Sequence, residues 1–261
     1  MIFGLISDIH ANLPALEAVL AELDACGVDG IFNAGDLVCY GPFPNEVVDL
    51  LRKREIASIY GNRDEEVCAF PQQSESYRAN LHPLKFRAYE WTYDNLSAGN
   101  LDYLCSLPER SSIPLDSHEM LMIHDKIQPK MPQLRESTPN SQFEEAAAMV
   151  EEDIIVFGHT HIPFARKIAG KLFVNTGSVG RPGDGDPSAG YALLTVESGR
   201  IEAQIKRVCY DVDRTVKAVY ESHLPDIFAL MFTQGRKLDD ILNSGNRKKK
   251  AKRSSIGYNR Q

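Results

Sequence analysis

Short apolar runs, each ending in polar residues, punctuate the chain. The first, residues 2–12, reads IFGLISDIHAN, so mostly apolar positions lead straight into Asp8 and His10. A run this short predicts a buried strand rather than a helix. Side chains two apart lie on one face of a strand, which would aim Asp8 and His10 at one point beyond its end. A strand that frays into a loop here would still let both turn toward that point. Asn12 then stands as an N-cap, with Pro14 in the first turn of a helix. Leu13, Leu16, Val19, Leu20 and Leu23 recur in it at helical spacing until Gly27. A second strand over 29–34 ends in Gly35-Asp36. After a short helix over 45–54, a third strand over 56–60 ends in Gly61-Asn62-Arg63-Asp64. Strand, helix, strand is a βαβ unit, which puts Asp36 beside Asp8 if the strands are parallel neighbours.

Residues 65–83 show little periodicity and are expected to be irregular or loosely helical. Helices follow over 84–96 and 100–107, with Trp91 as a packing residue, then a strand over 119–123 that ends in His124-Asp125. A proline-bearing loop, 126–139, and a helix over 141–150 precede a strand over 153–157 that ends in Gly158-His159-Thr160-His161. The remaining pattern predicts a hairpin over 164–168 and 171–175, a glycine-rich loop over 176–186, and strands over 190–196 and 200–208. Residues 211–244 read as mostly helical, with a break at Pro225. The alternation of strands and helices makes the fold class α/β.

Composition changes this picture little: 43% hydrophobic and 25% charged residues suit a globular protein with a substantial core. Charge adds more. The net charge of −7 argues against a general nucleic-acid binder. It is also uneven, because residues 246–261 carry seven of the 29 Lys and Arg and no acid. Residues 1–245 are expected to form one domain. The basic tail over 246–261 is expected to be solvated and disordered, and it is the only stretch suited to nucleic acid. The five cysteines form no C-x-x-C pair and are odd in number, which predicts neither a disulfide framework nor a zinc knuckle. With no basic n-region and no apolar run near ~20 residues, neither a signal peptide nor a membrane span is expected. The setting these features predict is reducing and cytoplasmic.

The strand ends carry the candidate chemistry: Asp8, His10, Asp36, Asn62, His124, His159 and His161. Taken singly, each has an ordinary explanation as a cap, a turn former or a packed histidine. Together they are oxygen and imidazole donors without a thiolate, a set suited to Mn, Fe, Zn or a similar divalent ion. Seven donors exceed one tetrahedral site and suit two ions sharing a carboxylate. Two ions ~3.5–4 Å apart clamp the attacking and leaving oxygens of a phosphoryl transfer.

The ordered motifs D-x-H, G-D, G-N-x-D, H and G-H-x-H, spread over residues 1–210, resemble the calcineurin-like metallophosphoesterase superfamily. They are most similar to its small prokaryotic phosphodiesterase branch, as is N-T-G-S-V-G-R-P-x-D-G-D over 175–186. The resemblance implies a four-layer α/β/β/α sandwich and two divalent ions, with manganese first and iron, zinc, nickel or cobalt as alternatives. It implies that Asp8, His10 and His161 hold one ion, that Asn62, His124 and His159 hold the other, and that Asp36 bridges. A water or hydroxide between the ions would attack a small phosphorylated substrate, Asp64 would orient its neighbours, and a homo-oligomer is a further expectation. One position departs from the family pattern. Many relatives have a histidine after the motif asparagine, where it protonates the leaving group; here the residue is Arg63. Arginine is a poor general acid but neutralises phosphate charge well. The expected substrate therefore has a leaving group that needs little protonation, such as an aryl phosphodiester or a nucleotide. Asp125 fits loop capping and ligand orientation equally, while Arg181, Lys126 and Lys130 read as solvated loop charges. The leading expectation is a metal-dependent hydrolase of phosphodiester or nucleotide phosphate bonds. A symmetric dinucleoside polyphosphate hydrolase is the alternative. A non-catalytic scaffold is disfavoured by the complete donor set, and a nuclease by the acidic body.

Overall fold

The computed structural model describes residues 1–197 and 199–244. Three parallel strands, β1 (Ile2–Ile6), β2 (Gly30–Asn33) and β3 (Ala57–Ser58), pair in that order. The antiparallel strands β9 (Ala189–Glu197) and β10 (Arg200–Val208) extend the sheet from β1, giving the order β10-β9-β1-β2-β3. The second sheet runs β4 (Arg110–Leu115), β5 (His118–Ile123), β6 (Ile154–Phe157), β8 (Lys171–Asn175), β7 (Phe164–Ile168), with β5, β6 and β8 parallel.

Strand alternation explains the layering. Met120, Met122, Ile154, Val156 and Val174 face Leu5, Ile59, Ala192 and Leu194 of the first sheet. The intervening Leu121, Ile123, Ile155, Phe157 and Phe173 face away, and Phe143 and Ala146 of α7 (Asn140–Ala147) cover them. On the outer face of the first sheet lie α1 (Leu13–Cys26), α2 (Pro44–Lys53), α3 (Asn62–Cys68), α4 (Phe70–Asn80), α5 (Pro83–Asn95) and α6 (Ala98–Ser106). They share that core with α8 (Val212–Glu221) and α9 (Ile227–Gln234). The result is the expected four-layer α/β/β/α sandwich.

Several expectations need correction. Residues 65–83, expected to be irregular or loosely helical, are mostly regular helix, the end of α3 and all of α4; α4 buries little beyond Phe70, so no apolar stripe marks it in the sequence. β4 was not expected. It is an edge strand, which tolerates Pro114, and only Ile113 and Leu115 alternate inward. The third strand shortens to two residues because Tyr60 leaves the sheet to donate to the Pro108 carbonyl. Asn62, which follows the third strand, opens α3. Cys68 and Cys105 form a disulfide, against the expectation of none. Packing of α3 on α6 sets that contact across a separation of 37 residues, which local spacing does not encode. The cysteines thus give no argument for a reducing compartment. Among the described residues no helix is long and apolar enough to cross a membrane. The basic tail over 246–261 lies outside the described residues.

Candidate metal centre

Past their last paired residues, β1, β2, β5 and β6 turn their ends toward one another. Strand β1 gives way to a turn before Asp8 and His10, the second of the two arrangements that would aim both side chains at one point, and they stand at φ of +53° and +49°. Asp36, His159 and His161 share this left-handed backbone, at +56°, +61° and +60°. So many non-glycine residues in that region store strain, which folded proteins concentrate at functional sites. Hydrogen bonds between the turns hold it: Asp8 N–H donates to Gly35 O at 2.9 Å, His10 N–H to Asp36 O at 3.0 Å, and Gly158 N–H to His124 O at 3.1 Å. Two glycines allow the approach. A Cβ at Gly61 would stand 2.2 Å from Asp36 Oδ1, and one at Gly158 would stand 2.2 Å from Asp8 Oδ2.

Ligand atoms of Asp8, His10, Asp36 and His161, all buried, lie within 4.8 Å of one another. His10 faces Val38 O through Nδ1, and His161 faces Arg181 O in the same way. Those bonds place the ring protons on Nδ1, so both Nε2 atoms present lone pairs. The two Nε2 atoms stand 3.2 Å apart. Lone pairs that close repel one another unless a cation lies against both. His124 repeats the arrangement, with Nδ1 on Ala34 O at 2.7 Å and a buried Nε2 that has no hydrogen-bond partner among the described residues. Asp36 Oδ2 sits 3.6 Å from His10 Nε2 and 3.4 Å from His124 Nε2. His159 Nδ1 meets Asn62 Oδ1 at 2.8 Å, while its backbone N–H donates to Asp8. Four of the seven expected donors, Asp8, His10, Asp36 and His161, thus cluster tightly, with His124 beside Asp36 and with Asn62 and His159 lining the same cleft.

Electrostatics agree. Burial would raise the Asp8 carboxyl, yet the His161 ring, with Nε2 3.0 Å from Oδ1, and then His124 hold it well below the usual carboxylate range. Burial also opposes ionisation of Asp36, but His124 outweighs it and holds that carboxyl well below the usual carboxylate range too. Burial would depress His124, but the carboxylates of Asp36 and Asp8 push it up to about 10. Burial, then the Arg181 guanidinium, keeps His10 well below the ordinary imidazole value; burial lowers His161 despite Asp8, and lowers His159 together with His124. Two buried carboxylates thus demand positive charge, and three neutral imidazoles offer lone pairs to it. This donor set fits divalent metal.

The surrounding residues have distinct duties. Asp64 accepts the N–H groups of Leu37, Val38 and Gly61 at 2.9–3.0 Å, tying the β2 turn to the start of α3. Burial and the neighbouring Asp36 push it up to about 7. Arg63 N–H donates to Asp36 Oδ1, and its guanidinium bonds Glu66 and the Tyr89 hydroxyl. Asp125 Oδ2 lies 3.9 Å from His159 Nε2, beyond hydrogen-bond reach. Lys126 and Lys130 are exposed, as expected. Arg181 is not: it is 6% exposed and lines a cleft of about 150 Å³ with Asp36, Tyr40, Asn62, Arg63, His159, His161 and Lys237. Sequence reasoning missed Tyr40 and Lys237, and neither carries a local signal that would have revealed it.

The family model of the calcineurin-like phosphoesterase superfamily domain matches residues 1–199, a span that includes every one of these donors. The chain belongs to that superfamily. An uncharacterised protein of Methanocaldococcus jannaschii is 32% identical over 85% of this chain and 93% of its own length. The crystal structure of a metallophosphoesterase from Sphaerobacter thermophilus is 31% identical, covers 90% of this chain and 99% of its own, and superposes with a TM-score of 0.71. The phosphodiesterase YfcE of Escherichia coli K12 is 25% identical over 72% of this chain and 84% of its own. Calcineurin-like phosphoesterases use divalent metals, and the buried Asp/His cluster is where this member has residues able to bind one.

Proposed function

We propose that this calcineurin-like phosphoesterase hydrolyses phosphodiester or nucleotide phosphate bonds with a pair of divalent ions. The observation that carries the proposal is the placement of Asp36. One carboxylate oxygen faces His10 Nε2 from one side and His124 Nε2 from the other, as a bridge between two ligand groups requires. Asp8, His10 and His161 would hold one ion; Asn62, His124 and His159 would hold the other. When bound, the ions supply Lewis-acid activation of the scissile phosphate and of the attacking water.

The chain's own groups do the rest. Val38 O, Ala34 O and Arg181 O fix the imidazole tautomers, and Asp64 pins the two turns that carry Asp36 and Asn62. Arg63 faces the cleft with a permanent charge that steadies phosphate oxygens, but it has no proton to give a leaving group. Substrates with good leaving groups, aryl diesters and nucleotides, are therefore favoured. The similarity to a protein named as a phosphodiesterase supports the same class.

The test is to load the purified full chain with Mn²⁺, count bound metal by mass spectrometry, and compare bis(p-nitrophenyl) phosphate with a dialkyl phosphate. About two ions per chain are expected, since clamping both oxygens of the displacement takes a pair. Turnover of the alkyl ester is expected to be roughly 10²-fold slower or worse, the size of a missing general-acid contribution. A chain that binds no divalent ion and hydrolyses neither ester would overturn the proposal. Equal rates on the two esters would discard the leaving-group argument alone.

A further inference from the structure

Beyond β10 the chain returns to cover the cleft. α9 ends at Gly235, in the left-handed region at φ +56°, and the Gly235 carbonyl accepts from Gly185 N–H at 2.9 Å. Backbone approaches closely here, for a Cβ at 235 would stand 2.5 Å from Asp186 O. The arm that follows is held by buried Leu238 and Ile241, and by an ion pair of Asp239 with Lys85 at 2.9 Å. It delivers Lys237 to the cleft. The stem of Lys237 lies against Gly183, where a Cβ would come within 2.8 Å of Lys237 Cε.

Arg181 meets Lys237 there. Its guanidinium stacks over the Tyr40 ring, 4.1 Å from the centroid, and its Nε is buried without a hydrogen-bond partner among the described residues. Arg63 and Lys85 line the same cleft, but Glu66 and Asp239 answer their charges. Among the described residues no carboxylate pairs with Arg181 or Lys237. Burying one guanidinium unpaired is costly, and setting a half-buried ammonium beside it adds repulsion. A ligand that brings its own negative charge relieves both terms. The planar fork of arginine and the compact charge of lysine both suit phosphate oxygens. Asp36, Asn62, His159 and His161 line the same small cleft, so an anion on these cations lies alongside the candidate metal centre.

We propose that Arg181 and Lys237 form a second phosphate subsite, so that the substrate carries a diphosphate with one phosphate at the Asp/His centre and its neighbour on the two cations. This rests on the phosphoesterase proposal above and narrows its substrate class. It sets an arm outside the matched family span, residues 236–244, as the element that selects among phosphoesters.

Calorimetry on the Mn²⁺-loaded full chain tests it, with adenosine 5′-diphosphate compared with adenosine 5′-monophosphate at one free Mn²⁺ concentration. The diphosphate is expected to bind about tenfold more tightly, the scale of a charge-assisted contact. Lys237→Gln is expected to cut that preference to about threefold, and the Arg181→Gln, Lys237→Gln double variant to near equality. Equal affinities in the native chain, or a preference that Lys237→Gln leaves intact, overturn the subsite. Because the Arg181 carbonyl holds His161, bound metal is counted in each variant; if Arg181→Gln loses metal, Lys237→Gln alone decides. The two proposals fail separately. Aryl diester turnover without a diphosphate preference removes only the subsite. A preference that depends on Lys237, with no turnover of any ester, removes only the hydrolase and keeps the subsite.

Discussion

Asp8 is aimed by its neighbours before any cation acts on it. Ser7 Oγ donates to Oδ2 at 2.7 Å, His159 N–H donates to the same oxygen at 3.0 Å, and Ser178 Oγ donates to the Asp8 carbonyl at 2.7 Å. Gly158 leaves the space this needs, since a Cβ there would stand 2.2 Å from Oδ2 and 2.5 Å from Ser7 Oγ. Gly158→Ala is expected to displace the carboxylate and weaken Mn²⁺ binding roughly tenfold or more, the loss typical of disturbed ligand support. Far-UV circular dichroism is expected to stay native, with metal binding read by calorimetry. Native affinity in this variant would show that the steric argument is wrong. The role of the candidate residues as metal ligands rests on the proposal above, but at this scale their convergence was legible, because each closes an apolar run, often at a glycine. The left-handed backbone of Asp8, His10, Asp36, His159 and His161 was not, since no local signal forces a non-glycine residue there. Nor was the burial of Arg181, which depends on Tyr40 and on an arm more than fifty residues downstream.

The turn between β1 and α1 depends on one side chain. Asn12 Oδ1 accepts from Ala15 N–H as the α1 cap and from the Thr215 hydroxyl of α8 at 2.9 Å. Its Nδ2 donates to Gly180 O at 2.8 Å and to the Tyr210 hydroxyl at 3.0 Å. One residue thus joins the β1 end, the glycine-rich loop and the C-terminal helices. Asn12→Ala is expected to cost about 2–4 kcal/mol, from a lost cap of ~1 kcal/mol and a buried carbonyl left unsatisfied. Urea unfolding measures it, and a change of only about 1 kcal/mol would reduce Asn12 to an ordinary cap. The cap at Asn12 was readable because Asn before a leucine-periodic run is a local signal. So were the hairpin strands β7 and β8 and the strand β10, whose limits match their apolar and glycine boundaries. β4 and α4 were not, because their burial comes from distant partners rather than from their own periodicity. The Cys68–Cys105 bond was hidden for the same reason.

At the level of the whole molecule, the matched family span stops at residue 199, but the core does not. Val219, Leu224, Phe228, Met231, Phe232, Leu238 and Ile241 are buried in the same cluster as Leu16, Val19, Leu20 and Tyr40. The helical character of this region and its break at Pro225 were readable from the sequence. Its docking onto α1 and over the cleft was not, since the same amphipathic pattern would serve a separate helical unit. At about 1.5–3 kcal/mol per buried side chain, removing these seven forfeits roughly 10–20 kcal/mol. That equals or exceeds the ~5–15 kcal/mol by which a domain is stable at all. A chain ended after Tyr210 is therefore expected to be insoluble or to lack a cooperative thermal transition, even though the whole matched family span survives in it. Loss of the transition would follow from the core alone, so metal counting on that fragment would add nothing. The deciding comparison is calorimetric. A soluble, monomeric fragment that melts cooperatively within a few degrees of the full chain would mean that residues 211–244 are an accessory lying on a finished domain. It would also mean that the cleft they cover is complete without them.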